Sequence, residues 1–247
     1  MYLKKLAAAA AIVVGSMGSA YATPVALELS LVMDVSGSID STEYNQQRLG
    51  YAAAFNNAGV QAAISSFSGG IAVNVVQFDT IPRTSSTWYH LQNATDAANF
   101  ASVLTTLARL GSGSTCISCG MAGSIATFAN NGYEGARLVM DVSGDGIESI
   151  TSDAAVRAQR DAAAALGIVV NGLAIEGDFG ATGVTDYYAA NVTTAGGFLV
   201  TATSFTDFER GAISKIGREV TNVPEPGTLA LVGLAIAGLG FCTRRRG

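Results

Sequence analysis

The sequence predicts one α/β domain with a Rossmann-like, doubly wound architecture, in which a mostly parallel central sheet has helices on both faces. Three observations favour this class. Runs of Val, Ile and Leu bounded by turn residues alternate with helix-like stretches. These runs are almost continuously apolar, as expected for strands buried on both faces. Only 13% of the residues are charged, about half the usual share, which excludes an intrinsically disordered chain.

The elements follow from the apolar runs and from the residues that cap helices. The predicted strands are residues 26–33, 71–78, 137–142, 168–175 and 198–201. Each is followed by helical sequence, and the predicted helices are residues 40–57, 96–107, 117–130, 152–166, 184–190 and 205–220. Asp or Ser begins several of these helices, where the side chain can accept hydrogen bonds from free backbone N–H groups. In a sheet of this class the ligand site lies beyond the carboxyl ends of the strands.

The amino terminus has the pattern of a secretory signal peptide, predicted at residues 1–22. Two lysines precede an apolar run at residues 6–14, and small residues lead to a cleavage pattern that ends at Ala22. The alternative, an uncleaved membrane helix, is less favoured because the apolar run is too short to span a bilayer. We therefore expect the exported chain to begin at Thr23 and to form one domain over residues 23–222.

The carboxyl terminus combines a Pro-Glu-Pro motif, a short apolar segment and a basic cluster. Pro224-Glu225-Pro226 precedes the uncharged residues 228–243, which are barely long enough to cross a bilayer, and Arg244-Arg245-Arg246 follows. From these residues alone, the segment is a tail anchor with its arginines in the cytoplasm. The three parts in this order resemble the PEP-CTERM sorting signal of Gram-negative bacteria.

This resemblance concerns residues 223–247 and implies a route for the protein. It implies export through the inner membrane, transient membrane anchoring through the short helix, and processing by an exosortase. The expected location is the cell surface or the extracellular space after processing, and the membrane before it.

Charge and histidine content exclude several classes of function. Five of the 14 basic residues lie at the chain ends, so the middle of the chain is strongly acidic. An acidic domain lacks the positive surface that binds phosphate backbones, so no nucleic-acid partner is expected. His90 is the only histidine, which argues against multi-histidine zinc sites and most histidine-dependent triads.

Oxygen-bearing side chains occur in three segments predicted to meet at one edge of the sheet. Asp34, Ser36 and Ser38 follow the first strand at alternate positions, and Asp145 lies in the turn after residues 137–142. Thr115 ends a Gly-Ser-Gly-Ser loop before another helix. Carboxylate and hydroxyl oxygens suit hard divalent cations such as Mg²⁺. The alternative is that Asp34 and the serines only cap a turn and a helix, but the second carboxylate at the same edge favours a metal site.

The combination of D-x-S-x-S, a later Thr and a later Asp-Gly resembles the metal-ion-dependent adhesion site of von Willebrand factor type A domains. The resemblance extends over nearly all of residues 26–220. The chain looks like a bacterial branch of this family that has no assigned activity. It implies direct binding through three hydroxyl groups and direct or water-mediated binding through two carboxylates, namely Ser36, Ser38, Thr115, Asp34 and Asp145. Mg²⁺ is the expected ion, with Mn²⁺ or Ca²⁺ as alternatives.

Cys116 and Cys119 form a C-x-x-C pair at a predicted helix start, directly after Thr115. This position can lower a thiol pKa and support redox exchange, which keeps a thiol-disulfide protein as an alternative. Export to an oxidising compartment favours a structural disulfide that stiffens the turn carrying Thr115. Zinc is not expected, because Cys242 lies in the removable tail and the single histidine stands alone.

Asp141 lies within a predicted strand, four residues before Asp145. A buried aspartate needs a hydrogen-bonding or charged partner. We expect a structural role with Arg137 or a backbone donor. The alternative is that Asp141 hydrogen-bonds to residues that bind the metal and orients them.

These observations predict a binding module that is not an enzyme. The five side chains supply two negative charges and leave one octahedral position for water or a partner carboxylate. The expected partner is a protein or extracellular-matrix ligand that presents an acidic group. Two alternatives stay open: a periplasmic thiol-disulfide protein that uses Cys116 and Cys119, and a structural matrix protein in which the metal only braces three loops.

Overall fold

The computed structural model describes residues 22–85, 87–177 and 180–221. The predicted signal peptide, except its last residue, and the predicted sorting segment at residues 223–247 lie outside the described residues. Among the residues described, no helix combines the length and the apolar character needed to cross a membrane.

The secondary structure alternates between strands and helices over most of the domain. The strands are β1 (Thr23–Val25), β2 (Leu27–Asp34), β3 (Ile71–Phe78), β4 (Pro82–Thr84), β5 (Tyr89–Leu91), β6 (Tyr133–Gly135), β7 (Leu138–Gly144), β8 (Ile168–Ile175) and β9 (Leu199–Ala202). The helices are α1 (Ser41–Asn56), α2 (Ala58–Ser66), α3 (Ala94–Thr105), α4 (Ile117–Thr127), α5 (Asp153–Ala165), α6 (Gly183–Asn191) and α7 (Phe208–Thr221). A short 3₁₀ turn, Phe205–Asp207, precedes α7.

Within the described residues, seven strands form the main sheet, in the order β4-β3-β2-β7-β8-β9 with β5 also paired to β3. Strands β3, β2, β7, β8 and β9 are parallel to their neighbours in that order, whereas β4 and β5 run antiparallel to β3. The short strands β1 and β6 pair with each other outside this sheet. The predicted α/β class with a mostly parallel sheet is confirmed.

Helices cover both faces of the sheet, as predicted. Every residue of β2 is buried, and alternate side chains of this strand face opposite layers. Leu27, Leu29 and Leu31 belong to a core with residues of α1, α2, α3 and α7. Val32 belongs to a second core with residues of α4, α5 and α6. The two apolar layers explain why the long strands are continuously apolar in sequence.

Several short elements differ from the prediction. The helix predicted at residues 40–57 ends at Asn56, because Asn57 adopts an extended backbone and caps the separate helix α2. Strand β3 is followed by β4 and β5 before helix α3, so the expectation of a helix directly after every strand is wrong there. His90 lies in β5, where its Nε2 atom is 2.7 Å from the carbonyl oxygen of Gly69. Three-residue strands have no periodicity that sequence analysis could detect.

A buried ionic cluster joins helix α7 to the sheet. Lys215 Nζ lies 2.5 Å from Asp141 Oδ1 and 2.6 Å from Glu219 Oε1, and all three side chains are fully buried. The Tyr51 hydroxyl donates to Asp141 Oδ1 at 3.3 Å, and Asn171 Nδ2 donates to Glu219 Oε1 at 2.8 Å. A buried lysine that contacts two carboxylates fixes the position of α7 against β7.

Asp141 has a structural contact, but not with the partner expected from the sequence. Arg137 donates instead to the carbonyl oxygen of Glu219, at 3.2 Å. Among the described residues, the ion-pair and hydrogen-bond partners found for the Asp141 side chain are Lys215 and Tyr51, and neither belongs to the five residues predicted to bind metal. Asp141 therefore anchors α7 to the sheet.

We predict that this cluster makes the metal-free domain less stable as pH rises. Burial, opposed by Lys215, raises the pKa of Glu219 from 4.5 to about 7, and burial also raises the pKa of Asp141. A raised folded-state pKa means that the folded protein holds the proton more tightly than the unfolded chain. For Glu219, the resulting stabilisation is present below about pH 4.5 and is lost as the pH rises to about 7.

Denaturant unfolding in EDTA between about pH 5 and pH 8 measures this effect. The Glu219→Gln variant should show a shallower loss of unfolding free energy with pH than the wild type. Glu209→Gln is the matched control, because Glu209 is exposed on the same helix. Equal pH dependence in all three proteins would contradict the assignment.

Candidate metal centre

The five residues predicted to bind a metal lie together at the carboxyl ends of β2 and β7. Asp34 ends β2, and its Oδ1 atom accepts a hydrogen bond from the backbone N–H of Ser36 at 2.8 Å. Ser36 Oγ lies 3.2 Å from Ser38 Oγ, and the Thr115 hydroxyl donates to Ser36 Oγ at 3.1 Å. Ser38 Oγ donates to Asp145 Oδ1 at 2.9 Å. Three separate loops thus bring their oxygen atoms into one small cluster.

The donor set fits a divalent cation. Asp34 is fully buried, and its Oδ2 atom has no hydrogen-bond partner within the described part of the chain. Burial, with a further contribution from Asp145, raises the pKa of Asp34 to about 7. Such a carboxylate is costly to ionise unless a positive charge compensates it. A hard cation would supply that charge, and carboxylate with hydroxyl oxygens is the ligand chemistry that Mg²⁺ prefers.

A cation at this position would depend on the hydroxyl groups. Across the described residues, no three His, Cys, Asp or Glu side chains come together to hold a metal. Asp34 and Asp145 are the two carboxylates of the cluster, and three hydroxyl groups complete it. Bound metal would be held here by these five side chains, and it would supply a positive centre for an anionic ligand.

Arg109 supports the loop after β2 from behind, and sequence analysis did not single it out. Its Nη2 atom donates to the carbonyl oxygens of Ser36 at 2.7 Å and Val35 at 3.0 Å. The backbone N–H of Gly37 donates to the carbonyl oxygen of Gly113 at 2.7 Å, which ties this loop to the one carrying Thr115. These bonds hold the serine hydroxyls in place through the backbone.

Asp79 organises the glycine-rich loop before Thr115. It is buried directly after β3, and its Oδ2 atom accepts backbone N–H bonds from Ser112 at 3.2 Å and Gly113 at 3.1 Å. Although burial opposes the change, the backbone N–H groups of Ile81 and Gly113, together with Arg83, lower the pKa of Asp79. A Cβ atom at Gly111 would collide with the Asp79 carboxylate. The rule that identified Asp34, a carboxylate at the end of a strand, also applies to Asp79.

The loop after β7 holds Thr115 from the other side. The backbone N–H of Thr115 donates to Ser149 Oγ at 3.1 Å, and the backbone N–H of Ser149 donates to the Thr115 carbonyl oxygen at 2.9 Å. Glu148 Oε2 accepts from the backbone N–H of Ser118 at 2.9 Å, in the first turn of α4. Cys116 and Cys119 are joined by a disulfide in that same turn. Thr115 is therefore restrained by bonds on both sides.

Family models match almost the whole exported part of the chain. A family described as "Protein of unknown function (DUF1194)" matches residues 24–224. The chain belongs to the DUF1194 family. The PEP-CTERM protein-sorting motif matches residues 222–246, which confirms the predicted signal and implies export to a surface or extracellular location. A comparison of this DUF1194 protein with curated proteins finds no match.

Solved structures show that the DUF1194 domain has the von Willebrand factor type A fold, as predicted. A von Willebrand factor type A protein from Catenulispora acidiphila is 14% identical, with a TM-score of 0.53 over 78% of this chain and 42% of that one. Proximal thread matrix protein 1 from the mussel byssus is 15% identical, with a TM-score of 0.54 over 81% and 46% of the two chains.

A further neighbour is the PilB minor pilin from Streptococcus sanguinis. It is 13% identical, with a TM-score of 0.57 over 80% of this chain and 62% of the pilin. This DUF1194 chain therefore spans less than two thirds of each of these three proteins. One structure of the mussel protein has a zinc-occupied MIDAS motif, that is, a metal-ion-dependent adhesion site.

We predict that divalent cations stabilise the domain through Asp34. A ligand that binds only the folded state raises stability by RT ln(1 + [L]/Kd), about 2.7 kcal/mol at a hundredfold excess over Kd. The melting temperature should rise when Mg²⁺ or Mn²⁺ replaces EDTA, and Asp34→Asn should abolish the rise.

Ser118→Ala is the control, because the Ser118 hydroxyl bonds to Thr151 at 2.8 Å and lies outside the oxygen cluster. This variant should keep the metal-dependent shift. Identical melting of the wild type in EDTA and in millimolar Mg²⁺, with no heat of binding, would contradict the metal assignment.

Proposed function

We propose that this DUF1194 protein is an exported binding module, not an enzyme, that uses a divalent cation at the oxygen cluster to hold an acidic group of a protein or matrix partner. One observation carries the proposal: four oxygen-bearing side chains from three loops lie together with the buried carboxylate of Asp34, one oxygen of which has no partner among the described residues. Mg²⁺ is the proposed ion, with Mn²⁺ or Ca²⁺ as alternatives.

The cluster runs from a buried side to a solvent side. Asp34 and Ser36 are buried, Thr115 and Asp145 are half-buried, and Ser38 is exposed. The protein would neutralise a cation bound here from the buried side, and water would reach the cation from the solvent side. A partner carboxylate can then replace water on the open side, because an incoming anion completes both the charge and the ligand shell.

Exposed apolar side chains on the surrounding loops support a protein-binding face. Ile81 lies two residues after Asp79 and is 49% exposed, Leu110 precedes Gly111 and is 53% exposed, and Ile150 follows Ser149 and is 43% exposed. All three lie in loops at the carboxyl-terminal edge of the sheet. A partner that covers them would gain apolar burial in addition to metal coordination. The proposed ligand therefore presents a carboxylate with apolar groups beside it.

The structural neighbours are consistent with this role. By their names, one is a matrix protein of the mussel byssus, one is a minor pilin, and another is the pilus adhesin SpaC from Lactobacillus rhamnosus GG. The sorting motif gives the present chain a comparable location outside the cell. Exosortase processing near the Pro-Glu-Pro motif would then release the exported domain from the membrane.

A thiol-disulfide enzyme is the second candidate, because the C-x-x-C pair lies at the start of α4. Burial argues against Cys116 as the attacking thiol, because it is fully buried and reactive cysteines are at least partly exposed to solvent, whereas Cys119 is half-buried. The disulfide is better explained as a brace for Thr115. A matrix protein in which metal only braces the loops differs from our proposal in needing no acidic partner.

Retention on the extracellular matrix of the producing bacterium tests partner binding. The exported protein should be retained in Mg²⁺ and released by EDTA. Leu110→Ser should weaken retention by roughly tenfold, since burying a leucine contributes about 1.5–3 kcal/mol. Leu166→Ser is the matched control, because Leu166 is 59% exposed at the opposite edge of the sheet. Retention that ignores EDTA, or equal losses in both variants, would contradict the proposal.

Replacing both Cys116 and Cys119 with serine tests the role of the disulfide. The fold should persist, and Mg²⁺ affinity should fall by roughly two- to tenfold, since the Thr115 side chain would lose freedom on binding. Mass spectrometry of the native protein should find the two cysteines bonded. Two free thiols together with disulfide reductase or isomerase turnover, lost in the double variant, would favour the enzyme instead.

A further inference from the structure

Two buried polar atoms without partners lie beside the same glycine. Tyr188 of α6 is fully buried, and its hydroxyl has no hydrogen-bond partner within residues that the structure describes; the same holds for Asp34 Oδ2. A Cβ atom placed on Gly144 would lie 2.7 Å from the Tyr188 hydroxyl oxygen and 2.8 Å from Asp34 Oδ2. The hydroxyl oxygen and the carboxylate oxygen are therefore separated by no more than about two water diameters. A gap of this size fits one bridging water.

The backbone around Tyr188 is shaped to admit this side chain. Gly144 ends β7, and Gly172 lies in the neighbouring strand β8. A Cβ atom on Gly172 would approach Tyr188 Cδ1 to 3.0 Å, so a larger residue there would crowd the ring. The two glycines leave room for the phenol beside the strands, with its hydroxyl close to the carboxylate of Asp34.

We propose that Tyr188 is a positioning residue of the metal centre: its hydroxyl donates a hydrogen bond through one buried water to Asp34 Oδ2 and holds the carboxylate in the orientation that binds the cation. This inference rests on the metal site of the proposed function. A carboxylate oxygen has two acceptor positions, so Oδ2 can accept from the water and still face a cation.

The electrostatics of the site agree with a donor role. A tyrosine hydroxyl carries its proton at neutral pH, and an ionised carboxylate can only accept hydrogen bonds. The phenol is therefore the donor and the carboxylate the acceptor. Groups that hydrogen-bond a metal-binding carboxylate from behind commonly change metal affinity by about 10- to 100-fold when removed.

The test compares two adjacent tyrosines on the same helix. Tyr188→Phe removes only the hydroxyl beside Asp34. Tyr187→Phe is the matched control, because the Tyr187 hydroxyl donates to Asp153 Oδ1 at 3.0 Å, and Asp153 is not one of the five oxygen-bearing residues. Calorimetric titration with Mn²⁺ should show that Kd rises about tenfold in Tyr188→Phe and changes less than about twofold in Tyr187→Phe.

Two further readouts separate positioning from a merely structural role. In EDTA, Tyr188→Phe should melt only a few degrees below the wild type, since one hydrogen bond contributes about 0.5–1.5 kcal/mol, while its Mn²⁺-dependent rise shrinks. The tyrosine ultraviolet difference spectrum on Mn²⁺ addition should persist in Tyr187→Phe and disappear in Tyr188→Phe. Equal Mn²⁺ affinity and spectra in both variants would overturn the role of Tyr188 alone. No Mn²⁺ binding by the wild type would instead overturn the metal site itself.

Discussion

The carboxylate of Asp34 ends a strand in which every residue is buried, and a charge in that position must be compensated by its surroundings. The backbone N–H of Ser36 compensates one oxygen, and the second oxygen has no hydrogen-bond partner within the described residues. The chain therefore has to bring polar atoms from distant segments to the end of β2. The loops at this edge of the sheet are organised around that requirement.

The loops are held mainly through backbone groups, which leaves the side chains of the cluster available for a ligand. Arg109 bonds the carbonyl oxygens of the loop after β2, Asp79 bonds the N–H groups before Thr115, and Ser149 pairs with Thr115. Each of these residues acts on the scaffold of the site. A preformed arrangement of this kind lowers the ordering cost of binding, because little conformational freedom remains to be lost.

A second group of buried charged side chains contacts the same sheet. Lys215, Asp141 and Glu219 join the central strand β7 to helix α7. Strand β7 thus contributes Asp141 to the interior and leads, through Gly144, to Asp145 at the surface. Both groups place carboxylates in an apolar interior, and each demands a positive or donating partner from another element.

Much of the fold follows from local pattern, and particular residues show why. Apolar runs such as Ile71–Phe78 and Ile168–Ile175 have the same bounds in the sequence prediction and in the structure, because strands buried on both faces need continuous apolar sequence. The five oxygen-bearing residues could be proposed from sequence because parallel strands end at one edge. The sorting motif at residues 222–246 is a linear signal that needs no fold to be recognised. The sequence by itself thus determined the class of fold, the candidate ligands and the route of export.

Tertiary structure alone decided which distant groups meet. The residues around Lys215 in the sequence do not predict that it pairs with Asp141. Those around Tyr188 do not predict that its hydroxyl lies close to Asp34. Short strands such as Pro82–Thr84 form only because a longer strand offers them hydrogen bonds. These features depend on packing between segments far apart in the chain, whereas periodicity and capping act over a few neighbouring residues. The physical reason is the range of the interactions. Local sequence patterns specify helices and strands, whereas the packing of these elements against one another specifies which distant side chains make contact.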